Sequence, residues 1–235
     1  MTKTRRFSSF HLMKHDPPKQ IKLAVFDVDR TILRNTSGEI QLLWFLIKHH
    51  MLPLTNGLRF IFYMMKNLFN GLKESILQNK LYLHGVECGS MQSMLPEFYS
   101  KYLQSRISPY ATQKIKNLKA QGYTVLLLSG TLDFIVQLLV DNLQVSEGIG
   151  SRMEVINGQY TGQLVGIHPF YKAKVEILKL WIDGRDVDYS ASYAFGDSWA
   201  DVPLLSCFGH PIALNPGLTL TWQAKARGWQ IVRDK

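Results

Sequence analysis

The sequence has few cysteines, and no part of it is long and apolar enough to cross a membrane. Two cysteines, Cys88 and Cys207, are too few for a disulfide framework, which favours a reducing compartment. A membrane-spanning helix needs roughly 20 consecutive apolar residues, whereas charged residues and Pro53 interrupt the most apolar region, residues 40–65. The first twenty residues also lack the apolar core of a secretory signal. We therefore expect a cytoplasmic protein, with peripheral attachment to a membrane surface left open.

Acidic residues are also scarce, because the chain has 18 of them against 27 Lys and Arg, for a net charge of +9. Such an excess favours anionic partners, which include phosphorylated metabolites, nucleic acids and anionic membrane surfaces. The basic residues are spread along the chain without a basic and aromatic motif, so nucleic acid is not expected. Residues 1–20 carry several of these charges and the pair Pro17-Pro18, which predicts a basic N-terminal extension.

The most informative stretch that is present is LAVFDVDRT, which runs from Leu23 to Thr31. An apolar run bounded by polar residues predicts a buried strand, here from Ile21 to Phe26. Side chains alternate along a strand, so the carboxylates of Asp27 and Asp29 can point the same way just beyond its end. Two close carboxylates repel each other unless a cation binds between them. The alternative interpretation is a helix N-cap, a position that Asp and Thr also favour.

The rest of the sequence divides into two patterns. Residues 21–38 and 107–235 alternate strands with helices, which predicts an α/β fold with a parallel, three-layer sheet. Residues 39–106 have helical periodicity throughout, which predicts a four-helix insert that forms a cap over the end of the first strand. The predicted breaks between its helices are Pro53, Asn56-Gly57 and Asn70-Gly71.

Polar residues follow two later strands of the α/β part. Ser129 follows an apolar strand and is expected to begin a helix, and Asp197 follows a strand that ends near Phe195. Lys174 lies in the first turns of another predicted helix. Because parallel strands end at one edge of a sheet, these side chains can converge on the two acids of the first strand. Taken singly, Ser129 is also typical of a helix cap, and Lys174 of a solvated helix surface.

Together these residues resemble the haloacid dehalogenase (HAD) superfamily, in particular its phosphoserine-phosphatase-like branch, subfamily IB. The matching segments are Asp27-Val-Asp29-Arg-Thr31, Ser129-Gly130, Lys174 and Gly196-Asp197-Ser-Trp-Ala-Asp201. They occur in this order and at the spacing of that branch within residues 21–232. The resemblance implies a Rossmann-like core with a helical-bundle cap inserted after the first strand.

The resemblance also implies a phosphatase that forms an aspartyl-phosphate. Asp27 would be the nucleophile, and Asp29 would protonate the leaving group and then activate the hydrolytic water. Ser129, Gly130 and Lys174 would bind the phosphoryl group, with the amide of Gly130 at the positive start of a helix. An acid at position 29 argues against dehalogenation, because dehalogenase relatives lack it.

Mg²⁺ is the cofactor that this resemblance implies, since it prefers oxygen ligands. It would bind Asp27, the Asp29 carbonyl and Asp197, and Asp201 would support the site from behind these ligands. Two residues depart from the usual pattern: Arg30 replaces a small residue, and Ala200 replaces an Asn. Neither replacement removes a reacting group.

The substrate is less clearly indicated than the reaction. Phosphoserine phosphatases hold the amino acid with an acid after the first motif and an Arg in the cap. By count, the acid falls at Thr36, with Glu39 one helical turn later, and the Arg falls near Asn79 and Lys80. Both positions are altered, so we expect a small organic phosphate other than phosphoserine.

Two other functions remain open at this stage. The insert is rich in aromatic and methionine side chains, which suit either a packed cap or an apolar surface for a lipid phosphate at a membrane. Phosphatases of this branch that act on phosphatidylglycerophosphate make the second function chemically plausible. The chain can also be a binding module that retained the fold without the chemistry, but the complete set of reacting residues argues against this. The sequence does not indicate an oligomeric state.

Overall fold

The computed structural model describes residues 20–52, 54–66 and 79–234, and a seven-stranded sheet lies at its centre. The strands are β1 (Leu23–Phe26), β2 (Thr124–Leu132), β3 (Glu147–Ile156), β4 (Gln159–Val165), β5 (Tyr193–Gly196), β6 (His210–Leu214) and β7 (Gln230–Val232). Their order in the sheet is β4-β3-β2-β1-β5-β6-β7, and every adjacent pair is parallel except β3 and β4. The α/β sheet predicted from the sequence is confirmed.

The helices of the described residues are α1 (Gly38–Lys48), α2 (Leu54–Lys66), α3 (Cys88–Phe98), α4 (Pro109–Ala120), α5 (Asp133–Leu143), α6 (Lys172–Ile182), α7 (Val202–Leu205) and α8 (Leu218–Arg227). Apolar clusters cover both faces of the sheet. Ala24 and Phe26 belong to one cluster, and Leu23 and Val25 to the other, because side chains alternate along β1. The core therefore has the predicted three layers.

The central position of β1 explains why its end can organise a site. Val25 lies in register with Leu126 of β2 on one side and with Ala194 of β5 on the other. All three strands run in the same direction, so the residues that follow them meet at one edge of the sheet. The rings of Phe26 and Phe195 stack at 3.9 Å between centroids just before that edge.

The segment between β1 and α4 is helical where it is described, and its assignment as a separate cap domain over residues 39–106 stays a prediction. The predicted break at Asn56-Gly57 is wrong, because both residues lie inside α2. Asn56 is buried, and its side chain donates hydrogen bonds to the carbonyls of Tyr82 and His84 at 3.3 and 2.6 Å. The polar pair makes a tertiary contact and does not end a helix. The predicted break at Asn70-Gly71 lies outside the described residues, as do residues 1–19.

The insert presents apolar side chains to solvent. Leu58, Phe62 and Met65 of α2 are each about two-thirds exposed. Within residues 20–52, 54–66 and 79–234, no helix has the length and hydrophobicity that a membrane span requires.

Candidate active site

A cavity of about 140 Å³ opens where the ends of β1, β2 and β5 meet. It is lined by every site residue that the sequence predicted, namely Asp27, Asp29, Ser129, Gly130, Lys174, Asp197 and Asp201. The acidic residues of this set follow the central strands β1 and β5, and Lys174 lies in the first turn of α6. Ser129 and Gly130 lie within the last residues of β2. These strands end at one edge of the sheet, which is why residues as far apart as 27 and 201 converge.

Lys174 is the electrostatic centre of this cavity. Its Nζ lies 2.6 Å from Oδ1 of Asp27 and 2.6 Å from Oδ1 of Asp201, and all three side chains are buried. Burial disfavours the charged ammonium, but the two carboxylates outweigh this effect and raise the pKa of Lys174. The side chain is therefore a buried cation held by two acids, and the solvated-helix alternative for Lys174 is wrong.

Asp201 holds Lys174 in place and also caps a turn. One of its oxygens accepts the bond from Lys174, and Oδ2 accepts bonds from the backbone N–H and the hydroxyl of Ser198 at 3.1 and 3.0 Å. This close approach depends on Gly196, since a Cβ added there would lie 2.5 Å from Cβ of Asp201. Asp201 therefore contacts both Lys174 and the turn at Ser198, and its predicted role behind the metal ligands stays a prediction.

Burial and hydrogen bonds act on the pKa of Asp29 in opposite directions. Its Oδ1 accepts a hydrogen bond of 2.9 Å from the backbone N–H of Gly38, the first residue of α1. Burial raises its pKa, whereas the bonds from Gly38 and from the Thr131 hydroxyl oppose that rise. A carboxyl with a raised pKa retains a proton that it can donate to a leaving group.

The acidic residues of the cavity form a plausible site for a divalent cation. Asp27, Asp197 and Asp201 each offer an oxygen within 4.8 Å of the others, and hard cations such as Mg²⁺ prefer such ligands. Burial and neighbouring carboxylates raise the pKa of Asp27 well above its usual range and that of Asp197 to about 7. Five acidic side chains line the cavity, counting Asp29 and Glu39, whereas its basic side chains are Lys174, Arg30 and Lys80, so a cation would relieve excess negative charge. The predicted contribution of Asp29, through its backbone carbonyl, stays a prediction.

Ser129 and Gly130 line the cavity from within a strand. The predicted helix start at Ser129 is wrong, because β2 continues to Leu132 and α5 begins only at Asp133. The Ser129 hydroxyl accepts a hydrogen bond of 3.3 Å from the backbone N–H of Thr131. A helix N-terminus therefore does not supply the anion-binding field at this point, and any phosphate contact must come from the hydroxyl and the local amides.

The further residues that line the cavity include three polar side chains that the sequence did not assign to the site: Glu39, Lys80 and His168. Lys80 is buried, and its Nζ lies 2.7 and 2.6 Å from the two oxygens of Glu39. Thr36, the position reached by counting, is not among the lining residues. The positions of Glu39 and Lys80 could have been found from the sequence, since Glu39 follows Thr36 by one helical turn and Lys80 falls near the expected Arg. No sequence signal indicated His168.

Arg30 contacts the site from its rim. Its Nε lies 2.7 Å from Oδ2 of Asp197, although the side chain itself is 59% exposed. Its backbone has a φ of +59°, a left-handed conformation that glycine adopts without strain and an L side chain does not. Because position 30 carries Arg in place of a small residue, the backbone is strained there, and the side chain forms an ion pair with Asp197, a predicted metal ligand.

Replacing Arg30 by Gly is expected to leave the free energy of unfolding within about 1 kcal/mol of its original value, because lost strain offsets the lost ion pair. The same change is expected to tighten Mg²⁺ binding, since Asp197 loses a competing cation. Thermal unfolding and a Mg²⁺ titration by calorimetry measure the two effects. Arg30→Lys, which retains a cation, is the control, and weaker Mg²⁺ binding by Arg30→Gly than by Arg30→Lys would contradict the prediction.

Comparison with known proteins agrees with these motifs. Residues 24–206 match the family model described as haloacid dehalogenase-like hydrolase. A histidinol-phosphatase of Neisseria meningitidis is 28% identical over 222 residues, which cover 91% of this chain and 99% of that protein.

Solved structures agree as well. A protein of unknown function from Bordetella pertussis superposes with a TM-score of 0.76 at 26% identity and covers 91% of this chain and 99% of its own. A phosphoserine phosphatase solved as an analogue of its phospho-aspartyl intermediate has a TM-score of 0.63 at 22% identity, with 92% and 95% coverage, and so shares the fold. The resemblance predicted from the four motifs is confirmed, and the chain belongs to the haloacid dehalogenase-like hydrolase family.

Proposed function

We propose that this protein is a Mg²⁺-dependent phosphatase that hydrolyses a small phosphate monoester through an aspartyl-phosphate on Asp27. The observation that carries the proposal is the buried Lys174, which pairs with Asp27 and Asp201 at the point where three parallel strands end. The desolvation of a buried cation and two acids costs free energy that their attraction barely offsets, so stability alone does not explain why the chain places them here. Membership of the hydrolase family and the histidinol-phosphatase relative support the same reaction.

In the first step, a carboxylate oxygen of Asp27 attacks phosphorus, and the bond from phosphorus to the leaving oxygen breaks. Lys174 binds Oδ1 of Asp27, so the other oxygen of that carboxylate is available for attack. Asp29 gives its proton to the leaving oxygen, which departs as an alcohol. The raised pKa of Asp29 supports this role.

In the second step, water attacks the phosphorus atom of the aspartyl-phosphate. Asp29, now ionised, takes a proton from that water, and the bond between Asp27 and phosphorus breaks to release inorganic phosphate. Lys174 remains beside Asp27 throughout and offsets the negative charge on the carboxylate and the phosphoryl group. When bound by Asp27 and Asp197, Mg²⁺ would supply the remaining charge compensation for the phosphoryl oxygens.

The size of the cavity favours a small substrate. A volume of about 140 Å³ accommodates a phosphate and only a few further atoms of a leaving group. Glu39 and Lys80 add one negative and one positive charge to its wall, which suits a polar leaving group. The lipid-phosphate alternative draws on the exposed apolar side chains of α2, but these lie on the surface, and none of them lines the cavity.

The test is phosphate release by purified protein from 4-nitrophenyl phosphate, with Mg²⁺ and with a chelator. We expect release that requires Mg²⁺. A panel of histidinol phosphate, phosphoserine, a sugar phosphate and phosphatidylglycerophosphate vesicles then identifies the substrate class. Preference for the vesicles would favour the lipid alternative, and no release from any of them would favour a non-catalytic module.

Mg²⁺ is expected to stabilise the protein more at about pH 8 than at about pH 6. Burial and Asp201 raise the pKa of Asp197 to about 7 in the metal-free protein. The stabilisation contributed by this carboxyl is complete below its unfolded pKa and is lost as the pH rises through about 7. Because the ion binds the ionised carboxylate, the rise in Tm on adding Mg²⁺ should increase over that pH range. A ligand at 100 times its Kd stabilises the native state by about 2.7 kcal/mol. An equal rise in Tm at both pH values would contradict this.

A further inference from the structure

His168 forms part of the cavity wall, and its hydrogen bonds determine which of its nitrogens carries a proton. Its Nδ1 lies 2.6 Å from the hydroxyl oxygen of Ser151, and that hydroxyl donates to the carbonyl of Gly130 at 2.7 Å. Because the single hydroxyl proton of Ser151 is used by Gly130, Nδ1 of His168 must be the donor in its own bond. A neutral ring protonated on Nδ1 has a lone pair on Nε2.

That lone pair has no partner in the part of the chain that the structure describes. Nε2 of His168 is buried and makes no hydrogen bond with residues 20–52, 54–66 or 79–234. The Cε1–Nε2 edge of the ring packs against Gly130, since a Cβ built there would lie 3.2 and 3.5 Å from these two atoms. The glycine therefore makes room for the imidazole edge next to the predicted phosphate site. A buried acceptor without a donor is costly, and a ligand that brings a donor removes that cost.

The surroundings keep this acceptor in place at neutral pH. Burial, with the nearby charges of Lys80 and Lys174, lowers the pKa of His168 to about 4. The ring is therefore uncharged when the phosphatase reaction runs, and Nε2 remains an acceptor. The segment that carries the ring is braced by aromatic contacts, since Phe170 lies parallel to it and packs edge-on against Trp199.

We infer that Nε2 of His168 accepts a hydrogen bond from an N–H or O–H donor on the leaving group of the substrate. His168 is then a specificity-determining residue that selects phosphate monoesters of amino or hydroxy alcohols over those with apolar leaving groups. This inference rests on the proposed phosphatase function, because it assigns the substrate class of the same site. An apolar leaving group would leave the buried lone pair without a partner, so it would lack this hydrogen bond and bind less well.

The test compares two phosphate esters of nearly equal size, 2-aminoethyl phosphate and propyl phosphate, which differ by an ammonium in place of a methyl group. We expect the original protein to prefer the first by roughly tenfold or more in kcat/KM, as a hydrogen bond to a charged donor allows. His168→Leu should reduce this ratio to about 1, and His168→Gln, whose amide oxygen can accept, should keep part of it. For each variant, the rates with the two esters are divided by its own rate with 4-nitrophenyl phosphate, whose leaving group has no donor, so that a general change in activity cancels.

The tautomer is measured separately, by ¹⁵N-labelled histidine NMR with His168→Gln to assign the signal. We expect a proton on Nδ1 and none on Nε2 in the original protein. In Asp27→Asn protein, which does not turn over, 2-aminoethyl phosphate with Mg²⁺ should shift the Nε2 signal, and propyl phosphate should not.

These readouts separate the two hypotheses. If the original protein hydrolyses none of the esters, the proposed function is rejected. The NMR experiment would still test whether Nε2 of His168 accepts a hydrogen bond from the ligand. A proton on Nε2 would overturn the inference. So would an equal fall in kcat/KM for both esters in His168→Leu and His168→Gln, relative to each variant's rate with 4-nitrophenyl phosphate.

Discussion

Asp27→Asn is expected to lower Mg²⁺-dependent phosphate release by roughly 10⁴-fold or more, because an amide cannot form the acyl-phosphate bond. The variant should nevertheless fold. In the metal-free protein, burial and three neighbouring carboxylates already raise the pKa of Asp27, so an uncharged side chain removes repulsion at that point. We expect its Tm without Mg²⁺ to equal or exceed that of the original protein. Phosphate release and thermal unfolding are measured on the same preparation.

The matched control is Asp141→Asn, which makes the same chemical change at an exposed position on α5. It should retain full activity and stability. Asp27→Asn protein that releases phosphate at a rate within about tenfold of the original would show that Asp27 is not the nucleophile. Loss of activity together with a large fall in Tm would instead point to a structural role for this carboxylate.

Lys174→Met is expected to lower the free energy of unfolding by about 3–5 kcal/mol, because it leaves two buried carboxylates without their cation. Activity should fall by about 10²-fold or more, since the positive charge beside the nucleophile is lost. The loss of stability should be smaller at low pH. Without Lys174, which lowers the pKa of Asp27, that pKa rises further, and a protonated carboxyl no longer repels its neighbours. Urea unfolding at about pH 5 and about pH 8 measures this dependence.

Two further variants separate the charge effect from the loss of a long side chain. Lys172→Met makes the same substitution two residues earlier on an exposed position of α6 and should be neutral. The double variant Lys174→Met, Asp201→Asn removes one of the two unpaired carboxylates, so it should regain part of the stability but none of the activity. Equal stability of Lys174→Met and Lys172→Met would show that the buried ion pairs contribute nothing to folding.

Local sequence determined the core elements well. The apolar run before Asp27 predicted a buried central strand because no solvated structure tolerates such a run, and the strand forms at Leu23–Phe26. The alternation of strands and helices after residue 107 predicted a parallel sheet for a similar reason, since parallel strands need helical crossovers. The local pair Asn157-Gly158 is typical of a hairpin turn and joins the antiparallel strands β3 and β4, because both residues adopt the positive φ that such a turn requires.

Local signals failed where a polar residue makes a tertiary contact. Asn56 and Gly57 have turn propensity, but the Asn56 side chain bonds two distant carbonyls and α2 continues through them. Ser129 has helix-cap propensity, yet pairing with neighbouring strands extends β2 past it. In both cases a contact with residues far away in the sequence outweighs a preference of a fraction of a kcal/mol, about the size of most propensity differences.

The sequence by itself determined the family and the order of the motifs, and it predicted which acids react, since these depend on residue types at fixed spacing. Only the tertiary structure decided which charged groups surround those acids and which further side chains line the cavity. Two ion pairs of the cavity join residues from different elements, namely Lys174 with Asp201 and Glu39 with Lys80. The unpartnered Nε2 of His168 likewise results from how distant segments pack together. Such contacts depend on burial and on distances of a few ångströms, which no spacing along the chain encodes.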